Sequence, residues 1–104
     1  VLLKNFVLQV LDLVAAKKQK DNEERLAKAV ETLNGVADNV TTPRNIRKTV
    51  KDIVTSLQDE SVGMSVRAAN AISTLDDLSQ DANMPSYVRV TLWQAVSALE
   101  SIRE

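Results

Sequence analysis

The sequence predicts an all-α fold, a compact antiparallel bundle of about five helices with a weak helical-repeat character, on three observations. Glycine and proline each occur only twice in 104 residues, so few positions interrupt a helix. Apolar residues recur at three- and four-residue steps almost everywhere, and beta-branched alternation of period two is absent. The polar stretches between the periodic segments are only a few residues long, which favours antiparallel packing of successive helices. A chain of this length forms one domain, residues 1–104. Within it, residues 1–20 read as an N-terminal apolar helix and residues 21–104 as a four-helix core.

The first predicted helix covers residues 2–18. Leu2, Leu3, Phe6, Val7, Val10, Leu11, Leu13 and Val14 spread over nearly half its circumference, and Leu8 projects from the otherwise polar side. The second covers residues 22–38, with Asp21 as its cap and Glu24 closing a capping box. Its expected buried stripe is Leu26, Ala29, Val30, Leu33, Val36 and Ala37. The third covers residues 43–58. Thr42 is read as its cap and Pro43 as its first residue, where a missing N–H costs nothing. Ile46, Val50, Ile53, Val54 and Leu57 form its apolar face.

For the fourth predicted helix, residues 63–80, the expected stripe is Val66, Ala69, Ile72, Leu75 and Leu78. Ala68 and Ala71 would let a neighbour approach closely. The fifth, residues 85–103, turns Val88, Leu92, Ala95, Val96, Leu99 and Ile102 inward. Each stripe is one-sided and must meet another element.

A short frame recurs at three helix starts. Asn39 precedes Pro43, Asp59 precedes Gly63, and Asp81 precedes Pro85, each by four residues. Ile46-Arg47, Val66-Arg67 and Val88-Arg89 follow the breaker by three and four. Read physically, the Asp or Asn organises the turn, the breaker starts the helix, and the Arg lies near the turn's carboxylate or carbonyls. The frames stand 20 and 22 residues apart. That is about half the period of helical solenoids, so the pattern is repeat-like and no more.

The chemistry open to the chain is narrow. It has no histidine and no cysteine, which removes a thiolate nucleophile, an imidazole base, a disulfide and a Cys/His zinc site. Asp76 and Asp77 are adjacent on a helix and point about 100° apart, so they form no dyad. Asp77 and Asp81 stand four apart but read first as solvated acids. Glu23 and Glu24 suit a helix start, and Gly35 and Gly63 are too isolated for a phosphate loop. The expectation is a non-enzymatic protein with no cofactor and no metal.

Two surfaces invite a partner. Arg44, Arg47, Lys48 and Lys51 fall within an arc of about 100° on the third predicted helix, opposite its apolar stripe. They suit phosphate contact, although 13 basic against 14 acidic residues leave a net charge of -1 and no aromatic residue interleaves with them. The second is apolar: Leu3, Phe6, Val7 and Leu8 on the first predicted helix, and Val90 and Trp93 on the fifth. Trp93 suits either a core edge or an interface anchor. A small self-associating interaction module, most simply a two-fold dimer that also meets another protein, is the first reading. An accessory protein of an RNA-containing assembly, docking through the basic face, is the alternative.

Lys4, Asn5, Gln9 and Asp12 break the N-terminal apolar segment, so neither a membrane span nor a signal peptide is expected. The cysteine-free composition fits a cytoplasmic protein. The chain opens on Val1 rather than Met, which is compatible with a processed or truncated start.

Three motifs in order carry a resemblance. Thr42-Pro43-Arg44-Asn45-Ile46-Arg47, then Ser65-Val66-Arg67-Ala68-Ala69-Asn70-Ala71-Ile72, then Asp81-Ala82-Asn83-Met84-Pro85 followed by Trp93 resemble uncharacterised protein family 0147. These are small archaeal all-helical proteins. The resemblance covers residues 22–104 and implies an archaeal source and a compact helical fold. It supplies no catalytic residue.

Overall fold

The computed structural model describes residues 2–103, and of Leu2 only its place in a helix. The expected share of the Leu2 side chain in the apolar face lies outside the described residues. Four helices form: α1 (Leu2–Asp38), α2 (Arg44–Leu57), α3 (Met64–Ser79) and α4 (Ser86–Glu100). No strand occurs among the described residues.

The expected fifth helix is absent because the first two predicted helices are one. The 37 residues of α1 run unbroken through Asp21 and Asn22. The stretch from Ala15 to Arg25 contains no Gly or Pro and is otherwise built of strong helix formers. Asp and Asn favour caps by bonding nearby backbone, but Asn22 spends its side chain elsewhere. Its Nδ2 donates to Arg103 O at 2.7 Å, and its Oδ1 accepts from Arg103 N at 3.3 Å. Gln19 adds an i,i+4 bond to Glu23 at 3.1 Å. With the Asn22 side chain engaged elsewhere, continuing one helix costs less than ending one and nucleating another.

The bundle is a square in which each helix meets two neighbours: α1 packs on α2 and α4, and α3 packs on the same two. Only the second half of α1 takes part. Ala29, Leu33, Val36 and Ala37 join Ile46, Val50, Leu57, Leu75, Leu92 and Leu99 in one core. From Leu3 to Lys20 every residue is exposed. The molecule is therefore elongated rather than compact, 63 × 25 × 20 Å with a radius of gyration of 17.0 Å, against about 13 Å for a globular chain of this size. Because α4 closes back on α1, the helices form a ring and not a solenoid.

The helix starts shift by one residue from expectation. Pro43, Gly63 and Pro85 are the caps, with ψ of 142°, 145° and 144°, rather than first helical residues. Thr42 makes no capping bond; it is buried, and its Oγ1 has no partner among the described residues. The stripe of α3 is also turned. Met64, Ala68, Ala71 and Leu75 are buried, whereas Val66 and Ala69 are exposed and Ile72 and Leu78 flank the core. A strict three-residue step drifts by about 60° per repeat, so the expected stripe walked off the face that α2 and α4 cover. The small Ala68 and Ala71 let those helices approach.

The three turns share one hydrogen-bond pattern. Asn39 Oδ1 accepts from Thr41 N and Oγ1, Asp59 Oδ1 from Ser61 N and Oγ, and Asp81 Oδ1 from Asn83 N. In each, the backbone N–H three residues on donates to the carbonyl of the same Asn or Asp, at 3.0–3.2 Å. Bonding to Ser61 holds the Asp59 carboxyl below its ordinary value, with the Arg67 charge adding to it. That contribution is complete above the unfolded value and is lost as pH falls through the folded one.

Gly63 has φ of -56°, close to the -54° of Pro43 and -61° of Pro85. Gly63→Pro therefore fits the backbone already present and should raise stability by about 0.4–1 kcal/mol, by restricting the unfolded chain. A urea midpoint equal to or below the parent's would refute the equivalence of the three turns.

Candidate functional site

The helix-start arginines divide into two kinds. Arg67 Nη1 donates to Leu57 O at 2.9 Å and Arg89 Nε to Ser79 O at 3.0 Å, each ten residues back and each on the last residue of the preceding helix. Both are half-buried, so they tie off carbonyls that a helix end leaves unpaired. At the same offset from Arg47 stands Ala37, but Arg47 makes no such bond, and its Nε is buried with no hydrogen-bond partner among the described residues.

Arg47 instead joins Arg44, Lys48 and Lys51 around one shallow depression on α2. The other three are exposed. Asp52, the acid of α2, lines the α2–α3 groove with Ser56 and Asn70 instead. The depression is positive from every side chain that lines it. Pro43 offers no side-chain capping bond and the first turn carries no acid, so the partial positive charge of the helix start adds to the four cations.

The apolar candidates are all exposed. Leu3 is 79% and Leu13 71% accessible, and even Val10, the least open of the eight on α1, is 41% accessible. Phe6, Val7, Leu8, Leu11 and Val14 lie between these values. On α4, Val90 and Trp93 are about half exposed, and neither belongs to the core cluster. Tyr87, nearly two turns before Trp93, shares a 2.6 Å hydrogen bond with the Thr41 hydroxyl beside a groove of about 370 Å³ between α1 and α4.

The α1 strip is not a continuation of the bundle seam. That seam passes through Asn22, Leu26, Ala29, Leu33 and Val36, and stepped backwards it meets Gln19, Ala15, Asp12, Leu8 and Asn5. The centre of the strip lies about 130° round the helix from it. Beyond Val14 the strip's own face becomes charged, through Lys17, Asp21, Glu24 and Lys28. The apolar segment thus ends where the bundle begins.

Sequence reasoning missed Asn22 as a buried clamp on the chain end, placing it at a helix start. Its heptad position on the seam was the available signal. Met64 and Met84, both buried, were missed because each adjoins a breaker. Among the described residues no group of three or more acidic side chains is placed to hold a metal. Among the described residues, no helix is long and apolar enough to cross a membrane.

Three comparisons bear on this arrangement. The model of a family described as an uncharacterised protein family, UPF0147, matches residues 14–102. A UPF0147 protein of Metallosphaera sedula is 46% identical over 84 residues, covering 81% of this chain and 94% of the relative. Among solved structures, a protein of unknown function superposes with a TM-score of 0.75 at 36% identity, over 79% of this chain and 93% of the other. A UPF0147 protein from Thermoplasma acidophilum gives 0.76 at 26% identity, over 81% and 99%. The family match begins at Val14, so most of the apolar strip lies outside it.

Proposed function

We propose, for a chain that belongs to the uncharacterised protein family UPF0147, that it is a self-associating helical interaction module whose contact surface is the free half of α1. The observation that carries this reading is the strip from Leu3 to Val14, standing clear of the bundle with every side chain exposed. With Val, Leu and Phe at about 150–200 Å² when fully open, its seven side chains other than Leu8, which lies on the far side of the helix, present on the order of 700 Å², more than a monomer's largest patch and close to one partner's share of a standard interface.

A second copy is the occupant that fits. Leu3, Val7, Val10 and Val14 alternate steps of four and three, the spacing of a helix–helix seam. An antiparallel two-fold pairing matches the strip to itself from end to end. A parallel pairing would bring the charged faces beyond Val14 against each other. The antiparallel dimer buries the apolar residues and leaves the two bundles at opposite ends, each free to meet another protein. Light scattering coupled to gel filtration at about 10–100 μM should give twice the 11.4 kDa chain mass. A mass that stays at one chain across that range would end this reading.

A further inference from the structure

We propose that the depression formed by Arg44, Arg47, Lys48 and Lys51 is a binding surface for the phosphate backbone of a nucleic-acid strand, separate from the self-association surface. The arrangement of charge is the first argument. Four cations line one concavity with no acid in its wall, at the positive end of α2, where cations oppose the helix dipole. Asp52 lines the neighbouring groove and makes no ion pair with them among the described residues, although at four residues from Lys48 it offsets part of their charge.

The second argument is the departure of Arg47 from its counterparts. Arg67 and Arg89 close the preceding helix through a carbonyl ten residues back. Arg47 occupies the same frame position and leaves that carbonyl bond unmade; its Nε is buried and unpartnered among the described residues, as is that of Arg67, so the missing bond alone sets it apart. An arginine that serves the fold at two starts is turned at the third into a row of cations.

The dimensions favour a strand over a lone anion. From Arg44 to Lys51 the row extends about 10 Å along the axis, enough for two or three neighbouring phosphates. No aromatic residue lines it, so no base stacks there and the backbone alone is read. Affinity should therefore be modest, indifferent to sequence and steeply dependent on salt.

The test is fluorescence anisotropy of two labelled 20-base-pair RNA duplexes of unrelated sequence, with the intact protein, from about 25 to 200 mM salt. The expected result is equal binding of both duplexes, with log K falling against log salt at a slope between about -1.5 and -3. Lys48→Gln and Lys51→Gln, both at exposed positions, should each reduce that slope by about 1. Neither residue lies on α1, so the mass in light scattering should not change, which separates failure of this surface from failure of the dimer. Absence of binding at 25 mM salt, salt-insensitive binding, or an unaltered slope in the double variant would overturn the proposal. So would saturation of the α2 amide shifts by inorganic phosphate in a protein that ignores both duplexes.

Discussion

Phe6→Asp and Val10→Asp, introduced together, should abolish self-association while leaving the bundle folded. Both side chains lie near the centre of the strip and are exposed in the single chain, Phe6 at 63% and Val10 at 41%. In a two-fold pairing each substitution acts twice. Four carboxylates would be placed in a contact from which water is excluded, after four apolar side chains have been removed. At about 1.5–3 kcal/mol for burial of each large apolar side chain, and with the desolvation cost of the carboxylates added, dimer affinity should fall by at least a thousandfold.

The melting behaviour of the separated chain should change little, because surface substitutions of this kind stay within about 0.5 kcal/mol. Sedimentation equilibrium from 1 to 100 μM measures the affinity, and circular dichroism at fixed concentration checks the fold, since association adds to apparent stability. Trp93→Asp is the informative control. Trp93 is as exposed as Val7 but stands on α4, and its replacement should leave the dimer intact. Loss of the dimer with Trp93→Asp and its survival with the α1 pair would move the interface to α4.

The second large effect is expected at Asn22. The side chain is 1% exposed and holds both backbone groups of Arg103, 81 residues away in sequence. Asn22→Ala removes the two bonds and leaves the Arg103 carbonyl and N–H to find other partners. Losing two part-buried hydrogen bonds costs about 1–2 kcal/mol, and for a chain of this size each kcal/mol lowers the melting temperature by roughly 4–8 °C. A fall of about 5–15 °C follows. Arg25 also bonds the chain end, through Nη1 to Ser101 O at 3.0 Å, but from an exposed position. Arg25→Ala should cost under about 0.5 kcal/mol. Equal effects of the two substitutions would contradict the assignment of Asn22 as the clamp. The clamp sits where α1 leaves the bundle, so it also fixes the base from which the free half projects.

Much of this architecture was legible in the sequence, and the exceptions have physical causes. The faces of α2 and α4 were readable because large residues at three- and four-residue steps leave one choice of inward side. On α3 half of the inward side is alanine, and hydrophobic size pointed to Val66 instead. The break expected near Asp21 rested on Asp21 as cap and Glu24 as its box partner, whereas the neighbouring Asn22 is held by a contact 81 residues distant, which no local pattern encodes. The exposed strip was legible as an apolar width that one neighbour does not need. Its separation from the bundle was not, because that depends on where α4 ends. The basic row was legible as an arc on a helix. Only the structure shows that Arg47 abandons the bond its counterparts make.

The measurement that bears most directly on self-association through α1 is small-angle X-ray scattering of the intact protein at concentrations where the dimer is populated. The single chain is 63 Å long. An antiparallel overlap confined to the strip consumes about 18 Å of it, which gives a maximum dimension near 105–110 Å with scattering mass concentrated at the two ends. A particle of about 63 Å with a radius of gyration near the 17.0 Å of one chain would contradict the account. A dimer of twice the mass but little more than one chain's length would contradict it equally, because its bundles would lie side by side.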